Sequence, residues 1–149
     1  MTPTVPRCFD SLAAATALPR WGLGLLFLFT GLGKFYYQGK WSWENARWFV
    51  TGFLLEDKFR ESFLPRWLLM PYGTALPYVE ITLGVLLLLG LARNLSLFAA
   101  GLLLLSLAFG AILMKDYAIL HENLFFLCVT AALLAVGQHD RWRPGTRQP

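Results

Sequence analysis

The chain has 149 residues, of which 56% are hydrophobic and 15% charged, and its mean hydropathy is +0.51. A soluble domain of this length rarely carries so much apolar residue, so the composition favours a membrane protein. The net charge of +4 does not indicate nucleic-acid binding, because the basic residues cluster beside apolar runs and no zinc spacing, basic helix or aromatic-basic pattern accompanies them.

The first apolar run predicts a membrane span from about Pro19 to Tyr37, preceded by an N-terminal tail over residues 1–18. Pro19 suits the first turn of a helix, because its missing N–H would have no partner there. The tail itself is compatible with a helix over 11–18. We expect the span to be retained rather than removed as a signal peptide, since no A-x-A-like cleavage site follows Gly33.

Residues 38–71 differ from the rest because aromatic and charged residues alternate there. Four tryptophans occur among nine charged residues, and the apolar positions make no clean stripe. Two short helices lying on the membrane surface fit this mixture. A folded extramembrane cap, with the same side chains packed inward, fits it equally well.

Three further runs predict spans at about 74–92, 95–114 and 117–137, followed by a basic tail over 138–149. The run Leu95–Met114 has no charge, and at about 1.5 Å per residue it spans roughly 30 Å, the thickness of the hydrocarbon core. Short connections join these spans, so the sequence predicts an all-α, antiparallel four-helix bundle in a membrane with an interfacial segment after the first span. Ser106 and Gly110 have the spacing that can allow close helix contact.

The orientation depends on the distribution of basic residues. One side, called side A, carries Arg7, Arg20, Arg93, Arg141, Arg143 and Arg147. The other side, called side B, carries Lys40, Arg47, Lys58, Arg60, Arg66 and Lys115. Side A concentrates three of its six in the last nine residues, which favours side A, and with it both termini, as cytoplasmic. The expected location is a bacterial or archaeal cytoplasmic membrane.

Ionisable residues inside the apolar runs are the best indication of function, because a bilayer accepts charges poorly. Lys34 is fourteen residues beyond Arg20 and Glu80 is thirteen residues before Arg93, so both should lie about 20 Å from side A. The triplet 121–123 in the fourth run falls at a similar level. The sequence therefore predicts one polar layer, close to side B, to which three helices contribute.

Two interpretations of this layer stay open. In the first, Lys34 and Glu80 form a plain ion pair that joins two helices. In the second, they line a small polar pocket open to lipid, where Lys34 or His121 donates a hydrogen bond to a quinone carbonyl and Glu80 or Glu122 relays protons. The candidate catalytic residues are thus these four.

The candidate cofactor-binding residues are Asn123, Tyr78 and Tyr117, which lie near the same level. His121 alone is more often a hydrogen-bonded bundle residue than a ligand, and it lacks a second histidine at its depth. No motif for metal, haem or flavin occurs, so quinone is the cofactor that the pattern admits.

Two sequence blocks resemble the DoxX family and its relative, the DoxD-type small subunit of thiosulfate:quinone oxidoreductase. The first is an arginine, Arg20, followed by an apolar run that ends in Gly-Leu-Gly-Lys34. The second is Leu76-Pro-Tyr-Val-Glu80-Ile-Thr-Leu-Gly, which continues to Gly-Leu-Ala-Arg93. With the fourth helix that carries Asn123, the resemblance covers about residues 20–137.

The resemblance implies a four-helix membrane protein that is often partnered with oxidoreductases, with Lys34 and Glu80 at the family's charged positions. In the DoxD case it implies passage of electrons from a sulfur compound to quinone. Three functions remain: a quinone-contacting subunit of a redox complex, a non-catalytic structural or assembly subunit, and a small transporter or channel. The expected partners are the bilayer and other membrane or membrane-associated subunits.

Overall fold

The computed structural model describes residues 11–60 and 62–136, apart from the side chains of residues 11, 12, 56 and 57. The elements in chain order are α1 (Ser11–Gly33), β1 (Tyr36–Tyr37), β2 (Lys40–Trp41), α2 (Trp43–Trp48), a π-helix (Phe49–Lys58), α3 (Arg66–Leu89), α4 (Arg93–Leu113) and α5 (Tyr117–Ala135). Four helices, α1, α3, α4 and α5, are long and apolar enough to cross a membrane. The predicted all-α membrane bundle is confirmed.

Two of the spanning helices begin earlier in the sequence than the apolar runs suggest. α1 starts at Ser11 and continues through Pro19, and α3 starts at Arg66 and contains both Pro71 and Pro77. Proline removes one backbone hydrogen bond, but membrane helices tolerate this where neighbouring groups compensate. The residues on each side of the prolines are good helix formers or apolar, so the helices extend past them. Residues 1–10 of the predicted N-terminal tail and the whole predicted C-terminal tail, 138–149, lie outside the described residues.

α1 and α3 form the closest-packed pair of helices, and glycines make this possible. A Cβ placed on Gly84 would lie 2.7 Å from the backbone nitrogen of Leu28 and 2.8 Å from the carbonyl oxygen of Gly24. A Cβ on Gly31 would lie 2.9 Å from the carbonyl oxygen of Pro77. The two backbones therefore touch directly at two levels, as small residues permit between membrane helices.

The helices form two pairs, α1 with α3 and α4 with α5, and one buried arginine joins the members of each pair at side A. Arg20 of α1 donates from Nη1 to the carbonyl of Leu87 at 3.1 Å, and Arg93 of α4 donates from Nη2 to the carbonyl of Leu133 at 2.8 Å. Both acceptors lie in the last turn or so of an antiparallel neighbour, α3 or α5. The last carbonyls of a helix carry its negative dipole end, so a guanidinium that donates to them stabilises the helix end.

α3 and α4 are joined by a tight turn at side A but contact each other much less than the members of the two pairs do. Gly90 closes α3 in the left-handed conformation with φ of 69°, which glycine adopts without strain. Leucines from α1, α3, α4 and α5, such as Leu23, Leu87, Leu97 and Leu133, fill the core between the pairs. Toward side B this leucine packing gives way to the segment between α1 and α3.

That segment contains a small hairpin, one short α-helix and the π-helix. The sequence allowed two short surface helices or a folded cap here, and neither alternative included the hairpin of β1 and β2. Asn45 fixes that hairpin by donating to the carbonyls of Phe35 and Lys40. The π-helix packs against α3, because Gly73 leaves room for Leu54. Leu54, Leu55, Phe59 and Leu69 form a second, smaller core. The π-helix therefore closes the space that opens between α3 and α4.

Candidate functional site

Lys34 and Glu80 form an ion pair between α1 and α3. The ammonium group donates to Oε2 of Glu80 and to the carbonyl of Thr30 at 3.2 Å. It also lies 5.2 Å from the ring centroid of Phe49, within the range of a cation–π interaction. The side chains of Lys34 and Glu80 are only 13% and 4% exposed. The contact predicted from equal depth in the membrane is therefore present.

The local sequence explains why the pair forms. Lys34 follows the last residue of α1, and its N–H bonds to the carbonyl of Gly31, so the side chain starts from a fixed turn. Gly31 also brings α1 against Pro77, one turn of α3 before Glu80. A buried charge left without a partner is costly, whereas a pair with additional hydrogen bonds is tolerated. The close helix contact therefore places the two charges where each needs the other.

The ion pair lies at one wall of a cavity of about 210 Å³. The cavity is bounded by α3, α4 and the π-helix, with single contributions from residues at the ends of α1 and α5. Its lining consists of Lys34, Phe49, Phe53, Leu54, Lys58, Phe59, Tyr72, Leu76, Glu80, Ser106, Leu107, Gly110, Met114 and Ile119. Most of these side chains are apolar, so the polar groups are few and their positions define what the cavity can recognise.

The lining residues follow the period of each helix. Tyr72, Leu76 and Glu80 are four residues apart and occupy one face of α3, over a rise of about 12 Å. In the π-helix the lining residues are four or five positions apart, because its hydrogen bonds span five residues. One example is the bond from the N–H of Phe59 to the carbonyl of Leu54, at 3.0 Å. π-helical turns occur frequently at functional sites. Here the π-helix turns two aromatic residues and Lys58 toward one space.

A second polar pair bridges α3 and α4 at the cavity. The hydroxyls of Tyr72 and Ser106 are 2.9 Å apart. Ser106 Oγ also donates to the carbonyl of Leu103 at 2.7 Å, and since a serine hydroxyl has one hydrogen, Tyr72 is the donor in the pair. Ser106 and Gly110 thus leave space beside α4 instead of bringing another spanning helix close. The nearest atom to a Cβ on Gly110 would be from Phe59, at 3.5 Å.

A second pair of charges lies at the side-B end of the cavity. Nζ of Lys58 is 3.7 Å from Oδ2 of Asp116, and both side chains are partly exposed at 35% and 27%. The same ammonium lies 5.6 Å from the ring centroid of Phe53. Asp116 also caps α5 by accepting from the N–H of Ile119 at 3.3 Å. This pair links the π-helix to the start of α5.

The triplet of the fourth span does not join this site. His121 and Glu122 are exposed on α5, and the α5 residue that lines the cavity is Ile119. Asn123 donates to the carbonyl of Ile119, one turn earlier in its own helix, at 2.9 Å. Equal depth placed the triplet at the right level, but depth carries no information about rotation around the helix axis. The roles predicted for these residues stay predictions without support from the geometry.

The two tyrosines predicted as cofactor-binding also lie outside the cavity. Tyr78 is on another face of α3 and contacts the rings of Phe35 and Trp43, with centroids 5.8 and 6.2 Å away. Tyr117 is 63% exposed. Sequence reasoning missed Tyr72, which precedes Glu80 by two turns on the same face. That i, i+4, i+8 spacing was a usable signal once α3 was known to begin at Arg66.

No set of three His, Cys, Asp or Glu side chains close enough to hold a metal ion occurs in the described part of the chain. The arrangement instead offers carboxylate, ammonium and hydroxyl groups around an apolar space. Such a site can orient a small ligand by hydrogen bonds.

A protein-family model described as methylamine utilisation protein MauE matches residues 12–136. The chain belongs to the MauE family. This match covers all four spans, the π-helix and the whole cavity lining, so the site lies within the part shared with the family. No curated protein and no solved structure matches the chain.

The resemblance to the DoxX family is therefore wrong. The blocks that suggested it have a physical role in this MauE protein, which explains why they misled. Arg20 and Arg93 bond to carbonyls near helix ends, and Gly31 and Gly84 let α1 approach α3. Such residues serve helix packing, and they do not distinguish one small membrane family from another. The implied transfer of electrons from a sulfur compound loses its basis.

The chain is an integral membrane protein by family and by its four apolar helices. The assignment of side A as cytoplasmic and the source membrane stay predictions.

Proposed function

We propose that this MauE protein is a membrane subunit that serves a redox system for methylamine utilisation, without performing the oxidation itself. The observation that carries the proposal is the family match over nearly the whole described chain, whose description names methylamine utilisation. A membrane subunit associated with a redox system is compatible with that match.

The contacts inside the membrane support an accessory role. Lys34 and Glu80 join α1 to α3, while Arg20 and Arg93 bond to backbone carbonyls of the neighbouring helices. These four charged side chains are thus engaged in holding the bundle together. An uncompensated charge in hydrocarbon costs a few kcal/mol or more, so the loss of either partner would destabilise the fold.

An exposed aromatic surface on side B supports contact with a partner. It comprises Tyr36, Tyr37, Trp41, Trp43 and Trp48, each about half exposed or more. Tyr37 stacks on Trp48 at 4.9 Å and Tyr36 contacts Trp41 at 5.2 Å, so the rings are held in place. Ordered aromatic side chains are enriched both at membrane interfaces and in the core of protein interfaces. We expect the redox partner to meet the chain at this surface.

The test is removal of this chain from its own host, followed by two measurements on isolated membranes. We expect methylamine-dependent oxygen consumption to fall, together with the amount of the methylamine-oxidising enzyme, while succinate-dependent consumption is unchanged. Restoring the chain should restore both. Normal amounts and normal activity of that enzyme in the deletion strain would refute the proposal.

Quinone contact at Lys34 and Glu80 stays a prediction, and the same host separates it from an accessory role. A quinone site predicts that Glu80→Gln lowers methylamine-dependent turnover while the enzyme's amount stays normal. An accessory role predicts that amount and turnover fall together. The exchange of both charges, Lys34→Glu with Glu80→Lys, should then restore the amount in part, because the pair is kept with its sign reversed.

A further inference from the structure

We propose that a second cavity, between α2 and α3, binds the headgroup of an anionic phospholipid, with the guanidinium of Arg47 donating hydrogen bonds to the phosphate. This cavity is separate from the one beside Lys34 and Glu80, and the inference does not depend on the proposed function.

The second cavity has a volume of about 170 Å³ and lies between two helical faces. Each face contributes residues three and four positions apart, from α2 and the start of the π-helix on one side and from α3 on the other. The lining residues are Trp43, Ala46, Arg47, Val50, Thr74, Pro77 and Tyr78. Ala46, Val50 and Pro77 are buried, whereas the other four are exposed, so the cavity opens at the outer surface of the bundle.

Aromatic side chains hold one end of the cavity in place. The rings of Trp43 and Tyr78 stack with centroids 6.2 Å apart, and Phe35 meets both edge-on at 5.3 and 5.8 Å. Neither the indole N–H of Trp43 nor the hydroxyl of Tyr78 has a hydrogen-bond partner among the described residues. Both rings therefore stay at the cavity with a polar group to spare.

Arg47 supplies the charge that selects an anion. Its guanidinium forms no ion pair and no hydrogen bond with the described residues, and no acidic side chain lines the cavity. Glu44, the acid nearest to it in sequence, is not a lining residue. The planar set of N–H donors of a guanidinium matches two oxygens of a phosphate, so a phosphate complements this side chain better than a neutral ligand does.

The location of the cavity makes a lipid the source of that phosphate. α3 is a spanning helix, and Tyr78 and Val79 beside the cavity are 45% and 42% exposed, so acyl chains can lie along this face. Tryptophan and tyrosine are enriched at the level of the headgroups, and basic pockets beside membrane helices bind anionic headgroups. A dry cavity of about 150 Å³ holds one benzene molecule, so about 170 Å³ admits a phosphate with its ester carbons.

The same charges disfavour a zwitterionic lipid. Phosphatidylcholine would bring a quaternary ammonium close to the cation of Arg47, and like charges repel. The lining has no carboxylate that could pair with the ammonium. An anionic headgroup such as phosphatidylglycerol avoids this repulsion, so the cavity should discriminate between the two lipids.

The test is native mass spectrometry of the full chain in detergent, incubated with equimolar dioleoyl-phosphatidylglycerol and dioleoyl-phosphatidylcholine. The acyl chains are identical, so the ratio of the bound lipids reports the headgroup alone. We expect one phosphatidylglycerol per chain, preferred about tenfold. Equal binding of the two lipids would overturn the proposal. Displacement of phosphatidylglycerol by millimolar inorganic phosphate would also overturn it, because the site would then be one for a soluble anion.

Two pairs of variants at exposed positions locate the site. Arg47→Gln should abolish the preference for phosphatidylglycerol, whereas Arg66→Gln, at an exposed arginine outside the lining, should keep it. Thr74→Trp fills the cavity and should reduce lipid binding although Arg47 is still present. Ala75→Trp, at the next exposed position of α3 and outside the lining, should leave binding unchanged.

The variants also separate this site from unspecific attraction. Equal loss of preference in the two arginine variants would show that surface charge in general attracts the lipid, and normal binding by Thr74→Trp would place the lipid outside the cavity. Either result refutes the site. Absence of bound lipid in wild type would refute it as well, and would leave Arg47 available to an acidic side chain of a partner protein.

Discussion

Substitution of Gly84 by alanine is expected to loosen the whole bundle, although it adds a single methyl group. The added Cβ would lie 2.7–2.9 Å from the backbone nitrogen and Cα of Leu28 and the carbonyl oxygen of Gly24. Backbone atoms cannot rotate away as a flexible side chain can, so α1 and α3 must separate. Glycine to alanine in a helix should otherwise gain up to about 1 kcal/mol from helix propensity.

Overpacking in a well-packed core typically costs about 1–3 kcal/mol. Because the atoms in contact are backbone, we place Gly84→Ala at the upper end, about 2–3 kcal/mol before the propensity gain. The net loss of unfolding free energy should then be about 1–2 kcal/mol. Separation of α1 from α3 should also weaken the Lys34–Glu80 contact, because those residues lie on the same two helices.

Gly22 provides the matched control. It lies in α1, two residues from Gly24, and a Cβ there would meet nothing within 4 Å. The assay is thermal unfolding of the purified chain in detergent, followed by circular dichroism, for wild type and both variants. We expect Gly84→Ala to melt several degrees below wild type and Gly22→Ala to melt at or above it. Equal melting of the two variants would refute direct backbone contact between α1 and α3.

Three further predictions follow from the same contacts. Arg93→Met should lower the unfolding free energy by about 1–3 kcal/mol, because a charged donor to a buried carbonyl is lost. Arg66→Met, at an exposed arginine, is the control and should change the unfolding free energy by less than about 0.5 kcal/mol. Chemical unfolding in mixed micelles measures both variants. Tyr72→Phe should cost about 0.5–1.5 kcal/mol, because the bond to Ser106 is lost, and an unchanged midpoint would argue against that bond. His121→Ala should leave the melting temperature and the abundance of the chain in membranes unchanged, because the side chain is exposed; a drop in either would indicate a contact made by His121.

Much of the fold could be predicted because each apolar run carries its own signal. Length and hydropathy located four spans, and counting residues from Arg20 and Arg93 placed Lys34 and Glu80 at one depth. Depth is a property of one helix at a time, so it can be obtained from sequence. Arg20 and Arg93 were the reference points for that count. In the structure both lie at side A, where each bonds to the end of a neighbouring helix.

The composition of the site could not be predicted in the same way. Whether His121 faces the cavity depends on the rotation of α5, and its nearly uniform apolar sequence gives no preferred face. The contribution of Phe49, Phe53 and Lys58 depends on the π-helical spacing, which no sequence pattern indicated. Tyr72 was missed because the apolar run suggested a span that starts near Thr74, although α3 begins eight residues earlier.

The family was mistaken for a related reason. The residues that suggested it include those that pack α1 on α3, among them Gly31 and Gly84, and Arg93, which bonds α4 to α5. Physical constraints on a short antiparallel pair of membrane helices recur across families, so these residues indicate architecture more than activity.

The central claim is that Lys34 and Glu80 depend on each other within the bundle, and a double-mutant cycle tests it most directly. The unfolding free energy of the purified chain is measured for wild type, Lys34→Met, Glu80→Gln and the double variant. Each single change should cost about 3–5 kcal/mol, since it strands a buried charge, and the double variant should cost less than their sum by at least about 1 kcal/mol. Costs that add, with a coupling energy near zero, would contradict the pairing.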